Sequence, residues 1–352
     1  MKGITIATFI SNNEYESKEF YNLTEYLKKF IDIQIIIFSN KEIKNDNIKV
    51  FVTPQMTKYK RIQLLLNEAK FDDILCLDND IAPNKTNILK FVHECLNKDY
   101  SIAWGKVKAQ KTKGFIPKLI EIDKNLSHNY IRPILWKLNI GISLPGQIFM
   151  INKKYLKNRL PNVDTVYDDL MIGAIVRENK YPVYFTKEVL GYEKPKKNIR
   201  ELLKQRIRWA KGLAETIMYN KRSKVLPYIL LHGFSFNLLW IPVYITIFGL
   251  FKINIILGLI AMLYIVQLLA EKKLKNFVWS MMYLLVFPFV YLVWGVALIL
   301  NLLRIKITNK GMVNKIRWMK NLKFYYKKPG NMLKKNLKWI CVLWTCFLCS
   351  NE

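Results

Sequence analysis

The sequence predicts an α/β domain with a mostly parallel sheet, followed by C-terminal transmembrane helices. Three observations carry this expectation. Strand-like and helix-like segments alternate through the first half of the chain. Long uncharged apolar runs then fill most of residues 225–303. After them, residues 304–338 hold twelve Lys or Arg and no Asp or Glu.

The elements follow in order. Residues 4–10 form a short buried-strand run, and Ser11-Asn12-Asn13-Glu14 ends it too early for a signal peptide. Helical spacing at Tyr21, Leu23, Tyr26, Leu27 and Phe30 marks residues 20–30. Strands are expected at 33–38 and 49–52 and a helix at 61–69. The strand at 74–77 runs into Asp78-Asn79-Asp80, and a helix at 87–96 follows. This alternation argues for a mostly parallel sheet with helices on both faces, and ligands of such sheets sit at the carboxyl ends of strands. Residues 111–145 read as irregular, with Pro117, Pro133 and Pro145 as breakers. A strand at 147–151, a helix at 169–178, a strand at 181–185 and a long helix at 199–219 complete the domain.

Residues 225–251 and 277–303 are each long enough to span a bilayer, and 253–270 is at the short end of that range. Basic residues flank the block at Lys221-Arg222-Lys224, at Lys272-Lys273-Lys275 and from Arg304 onward. The positive-inside rule places all three flanks in the cytoplasm, which three simple spans cannot satisfy. One run is therefore re-entrant or interfacial, and Pro288 makes the third a candidate. The expected organisation is a cytoplasmic catalytic domain at 1–200, an amphipathic interfacial helix at 201–224, a transmembrane block at 225–303 and a basic tail at 304–352. That is a multi-pass protein of the cell (inner or plasma) membrane.

The formal charge is +30. Basic residues beside apolar runs point to anionic lipid rather than nucleic acid, for which no recognition motif is present. The basic tail suits anionic lipid, a partner subunit or a plain solvated flank, and the sequence leaves these open. The five cysteines, Cys76, Cys95, Cys341, Cys346 and Cys349, form no disulfide framework and read as apolar packing in a reducing compartment.

Candidate chemistry starts at Asp78 and Asp80. Two carboxylates two apart at a strand end can face a diphosphate, and hard oxygen ligands suit Mg²⁺ or Mn²⁺; a solvated turn gives the same pattern. Asp168-Asp169 can supply a base or simply an electrostatic helix cap. In Gln205-Arg206-Ile207-Arg208-Trp209, helical spacing puts Gln205, Arg208 and Trp209 on one face and Leu203, Ile207, Ala210, Ala214 and Ile217 on the other. Arg208 is suited to a diphosphate and Trp209 to stacking on a sugar ring. A basic amphipathic helix lying on the membrane is the competing reading.

Taken together, Asp78-x-Asp80, Asp169 and then, after thirty-five residues, Gln205-x-x-Arg208-Trp209 resemble family 2 glycosyltransferases of the polysaccharide-synthase type, the group of cellulose, chitin and hyaluronan synthases. Gly146-Gln147 with Met150-Ile-Asn-Lys153, and Tyr192-Glu193-Lys-Pro195, are similar to further segments of that family.

The resemblance implies a GT-A-like nucleotide-sugar-binding domain. It implies a nucleotide-sugar donor, most often a UDP-sugar, bound with Mg²⁺ or Mn²⁺ through Asp78 and Asp80. Asp169 is the implied base, with Asp168 beside it. Gln205 and Arg208 are implied on the donor, and Trp209, Gly146 and Gln147 on the acceptor. Relatives usually carry an Asp after the second strand, and this chain has Ser39-Asn40 there. The motif helix favours a polysaccharide product. The short membrane block, with no apolar run of spanning length before the domain, favours a single addition to a lipid-linked acceptor. Polymer synthesis is the preferred expectation. A non-enzymatic polybasic membrane protein is the alternative of another class, and it leaves the ordered acidic motifs unexplained.

Overall fold

A computed structural model describes residues 3–10, 17–43, 48–54, 56–238 and 277–309. Met1–Asn301 form one compact unit and Leu302–Glu352 a second, in which description reaches Asn309.

The described strands are β1 (Gly3–Phe9), β2 (Asp32–Ser39), β3 (Lys49–Val52), β4 (Asp73–Asp78), β5 (Ile81–Pro83), β6 (Ile102–Ala109), β7 (Ile148–Asn152) and β8 (Val183–Glu193). They form one sheet in the order β3-β2-β1-β4-β7-β6-β8-β5. β1 pairs parallel with β2 and β4, β2 with β3, and β6 with β8. β7 enters between β4 and β6 antiparallel to both, and β5 runs antiparallel to β8. Six of the eight strands therefore run in one direction, so the sheet is mostly parallel as expected, but mixed, with β5 and β7 reversed. A parallel crossover needs a covering helix between strands. β7 instead follows directly on the loop after 137, so it enters from the opposite end.

Helices cover both faces, as the sequence alternation predicts. β4 shows why: Leu75 and Leu77 pack with α1 (Lys18–Lys28) and α3 (Lys85–Leu96), while Ile74 and Cys76 pack with α2 (Lys58–Glu68) and α7 (Asp168–Glu178). Successive side chains of a strand point to opposite faces, so a run of four apolar residues serves two layers. Cys76 and Cys95 are buried free thiols in these layers, whereas Cys341, Cys346 and Cys349 lie outside the described residues.

The stretch 111–145 is more ordered than its prolines suggest. It contains α4 (Phe115–Leu126), a π-helical turn (Ser127–Ile131) and α5 (Arg132–Lys137). Pro117 falls in the first turn of α4, where the missing N–H has no intrahelical partner to lose, and Pro133 directly follows the π-helical turn, which carries the chain from α4 into α5 without a break. α6 (Lys153–Leu156) is a single turn after β7.

α8 (Ile199–Tyr219) is capped by Asn198, whose side chain accepts from Glu201 N. α9 (Leu226–Leu238) opens the apolar block. α10 (Phe277–Asn309) is one continuous helix through Pro288, which corrects the re-entrant expectation for this run. Tyr283, Leu284 and Phe287 before the proline and Val290 and Tyr291 after it are all buried against α4 and α8. That packing holds the helix across the lost backbone bond. The opposite face is apolar and exposed at Leu285, Phe289, Leu292, Val296, Ile299 and Leu303.

Within α10, Val278–Arg304 is long and apolar enough to cross a membrane, the one such helix among the described residues. Of the other expected runs, 225–251 is described as far as residue 238, and 253–270 lies wholly outside the described residues.

Candidate active site

The carboxyl end of β4 delivers the first two acids. Asp78 N donates to Gln147 O at 2.8 Å, tying the end of β4 to the start of β7. Asn79 Oδ1 accepts from Ser17 N at 3.1 Å and fixes the turn that follows. Asp78, Asp80, Gly146, Gln147, Asp168, Asp169, Gln205, Arg208 and Trp209 all line one cavity of about 470 Å³. These nine predicted site residues thus converge on one place, although they come from four separate segments.

Lys58, at the start of α2, was not foreseen. Its Nζ donates to Asp78 Oδ1 at 2.6 Å and Gly146 O at 2.5 Å, and lies 3.5 Å from Asp168 Oδ2. Burial alone would lower the pKa of this ammonium, but Asp168 and Asp78 outweigh burial and raise it, so it stays charged. Asp78 is pushed up to about 7, first by burial and then by Asp168 and Asp80, with Lys58 pulling the other way. Asp168 Oδ2 is buried and accepts no hydrogen bond.

Asp168 and Asp169 open α7, and Asp169 Oδ1 accepts from Leu170 N at 2.8 Å. The cap reading and the cavity reading therefore hold together. Burial first, then the adjacent Asp168, raises the Asp169 pKa to about 7, against the pull of Arg132 and Lys58. Gly146 lies directly against this carboxyl group, since a β-carbon there would come within 3.2 Å of Asp169 Oδ2.

Gln147 Nε2 donates to Glu193 Oε2 at 2.7 Å, and Lys124 also bonds that oxygen. Glu193, last residue of β8, thereby orients the amide toward the cavity. Asn40, at the place of the missing Asp, lines the cavity and accepts from the Arg61 guanidinium. Arg61 is itself fixed by Ile10 O and Thr53 O, each at 3.0 Å.

On α8 the buried side differs from the expectation. Ile207 is 40% exposed, whereas Arg206 is 4% exposed and paired with Asp123 Oδ2 at 2.6 Å. Hydrophobic periodicity gave no signal for Arg206, because its burial depends on an acid 83 residues away. Arg206 Cζ stands 4.2 Å over the Trp209 ring. Tyr291 and Trp294 of α10, and His232 and Gly233 of α9, complete the wall.

Among the described residues no group of three His, Cys, Asp or Glu side chains is gathered to hold a metal ion by itself.

Residues 74–307 match the family model for glycosyl transferase family group 2. Solved structures similar in fold include a mannosyltransferase from Pyrobaculum calidifontis in complex with GDP-Man and Mn²⁺, at 12% identity over 85% of this chain and 88% of that one, TM-score 0.47. They also include glucosyl-3-phosphoglycerate synthase from Mycobacterium tuberculosis in complex with Mn²⁺, UDP and phosphoglyceric acid, at 12% identity over 61% and 78%, TM-score 0.44. S. aureus TarS 1-349 is similar at 14% identity over 86% and 89%, TM-score 0.42. No curated protein matches the chain.

Proposed function

The chain belongs to glycosyl transferase family group 2, and from that premise we propose that it is an inverting glycosyltransferase that moves a sugar from a nucleotide-sugar donor, a UDP-sugar, to a glycan chain held at the membrane face. One observation carries the reading: four aspartates, a part-buried lysine and the Gln205–Arg208–Trp209 face share a single cavity. The mixed sheet and the family membership support a GT-A-like donor domain.

Inversion requires the acceptor hydroxyl to attack the anomeric carbon as the nucleoside diphosphate departs. Asp169 takes the hydroxyl proton. Its raised pKa of about 7 makes it a stronger base than an ordinary carboxylate while leaving it about half ionised at neutrality and largely ionised above it. Arg208 and Gln205 bind the diphosphate, and Trp209 supplies a flat apolar face for the acceptor sugar. Gln147, oriented by Glu193, offers an amide donor to a sugar hydroxyl.

The residues present fit a divalent cation. Asp78 and Asp80 are hard oxygen donors. The pKa of Asp78 is raised first by burial and then by Asp168 and Asp80, and a cation beside it would favour the ionised form. Mg²⁺ and Mn²⁺ commonly take one or two carboxylates and complete their shell with phosphate oxygens, so a two-aspartate site is sufficient. When bound, the ion would neutralise charge on the leaving diphosphate.

A lipid-linked acceptor is the second reading, and the apolar helices favour it. Tyr291 and Trp294 of α10 belong to the wall of the cavity that holds the carboxylates. We read α10 as a membrane-spanning helix and the sheet domain as cytoplasmic, within a multi-pass protein of the cell membrane.

The deciding experiment supplies a panel of labelled nucleotide sugars, with Mg²⁺ or Mn²⁺, to membranes carrying the wild type or Asp169→Asn. Label entering high-mass material with the wild type alone supports polymer synthesis. A discrete lipid-soluble product supports the second reading. Equal incorporation by Asp169→Asn removes Asp169 as base.

A further inference from the structure

We propose that Arg206 is a positioning residue for the acceptor side of the site: it braces the Trp209 indole and anchors that brace, through Asp123, to α10. The inference rests on the reading of Trp209 as the acceptor platform.

The geometry is a chain of four contacts across three helices. The Arg206 guanidinium lies over the Trp209 ring, Cζ to centroid 4.2 Å. Its Nη2 donates to Asp123 Oδ2 at 2.6 Å. The other oxygen of Asp123 accepts from Tyr283 Oη and Tyr291 Oη, both at 2.9 Å. α4, α8 and α10 thus meet at one buried carboxylate.

Two features argue that this arrangement serves more than stability. A buried ion pair contributes little net stability compared with apolar residues of the same shape, and the surroundings here, Leu119, Leu202, Leu284 and Phe287, are otherwise apolar. Arg206 Nε is also buried without a hydrogen bond. The guanidinium is therefore placed with its face on the indole rather than to satisfy all its donors. Trp209 itself is only part-buried and lines the cavity. An exposed indole samples several rotamers unless something holds it, and losing that freedom in advance favours binding. Because Tyr283 and Tyr291 sit on the helix long enough to cross a membrane, the acceptor platform is mechanically tied to that helix.

The test uses the full chain in detergent micelles, labelled with 5-fluorotryptophan, with the Trp209 resonance assigned by Trp209→Phe. Arg206→Lys keeps the charge beside Asp123 but loses the planar face, a change that is not conservative at a stacked site. It is expected to retain the thermal midpoint yet shift the Trp209 resonance. It should also lower transfer from the labelled nucleotide sugar by roughly three- to thirtyfold, with the KM for that donor unchanged. Tyr283→Phe with Tyr291→Phe leaves the ion pair intact and should move the same resonance. This second variant keeps the test open if Arg206→Lys fails to fold. A Trp209 resonance unmoved in both variants overturns the brace. Full transfer by Trp209→Ala instead removes the acceptor-platform reading, while the fluorine signal still decides whether Arg206 holds the ring.

Discussion

Asp169 rests against the bare backbone of Gly146, so closely that a β-carbon there would lie 3.2 Å from its Oδ2. The neighbouring carbonyl of Gly146 is held by Lys58 at 2.5 Å, so this side of the contact has little freedom to retreat. Gly146→Ala should therefore displace the carboxyl group by a few tenths of an ångström while leaving the fold intact. A misplaced base costs about tenfold or more in kcat. Steady-state kinetics alongside thermal unfolding checks this: an unchanged kcat with an unchanged midpoint would show that the Asp169 position is not critical.

The raised pKa of Asp169 sets the pH profile. The base must be ionised to accept a proton, so transfer should climb with pH and reach half its maximum near 7. The same shift acts on stability with the opposite consequence. An unfolded Asp titrates at about 3.9, so between that value and about 7 the folded chain holds a proton that the unfolded chain has released. This contribution is fully present below the unfolded pKa and is lost as pH rises through 7. Asp169→Asn should accordingly unfold at a higher temperature than the wild type at pH 8, with the gap closing at pH 5, while transfer is abolished. A midpoint for the variant below that of the wild type at pH 8 would contradict the raised pKa.

Lys58 neutralises Asp78 and Asp168 from within the protein. Removing the lysine leaves two part-buried carboxylates without their shared cation, and a divalent cation is the natural replacement. Lys58→Met should lower the thermal midpoint in EDTA, and Mg²⁺ should restore more of the lost stability than it adds to the wild type. Asp78→Asn in the same background should erase that Mg²⁺ response. If Mg²⁺ stabilises the wild type and Lys58→Met equally, the lysine and the cation do not share a role. Chelation is also expected to abolish transfer, with Mg²⁺ or Mn²⁺ restoring it.

Much of this site is legible in the sequence because its signals are local. An apolar run that stops at Asp78-x-Asp80 marks a strand end, and Gln205, Arg208 and Trp209 fall on one face by spacing alone. What was not legible depends on partners far along the chain. Arg206 is buried because Asp123 receives it, and periodicity assigned the buried place to Ile207 instead. Lys58 reads as a solvated residue next to Thr57, its helix cap, until β4 and β7 bring Asp78 and Gly146 to it. The mixed sheet escaped for a similar reason. β7 has the apolar composition of its neighbours, and composition carries no strand direction. Pro117 marks a helix start and Pro133 is accommodated beside a π-helical turn, and a reading of prolines as breakers turns both into irregular chain.

The tightest constraint on α7 lies on its rear face. A β-carbon at Gly173 of α7 would sit 1.7 Å from the carbonyl oxygen of Ile142 and 2.6 Å from its carbonyl carbon. Neither can yield as a side chain tip would, because Ile142 is buried and its backbone packs directly against the helix. Every residue of α7 from Leu170 to Val176 is buried, so the helix has no open side toward which to shift. Gly173→Ala should destabilise the chain by about 3 kcal/mol, the upper end for overpacking, and should move Asp168 and Asp169 with the helix. Gly295 on α10 provides the contrast, since a β-carbon there meets nothing within 4 Å. Gly295→Ala should be neutral or stabilising by up to about 1 kcal/mol through helix propensity alone. Denaturant midpoints of the two variants, measured in the same micelles, separate close backbone contact from a general intolerance of side chains at glycine. Equal midpoints would mean that α7 can move away from Ile142, and the fixed position assigned to Asp169 would fall with it.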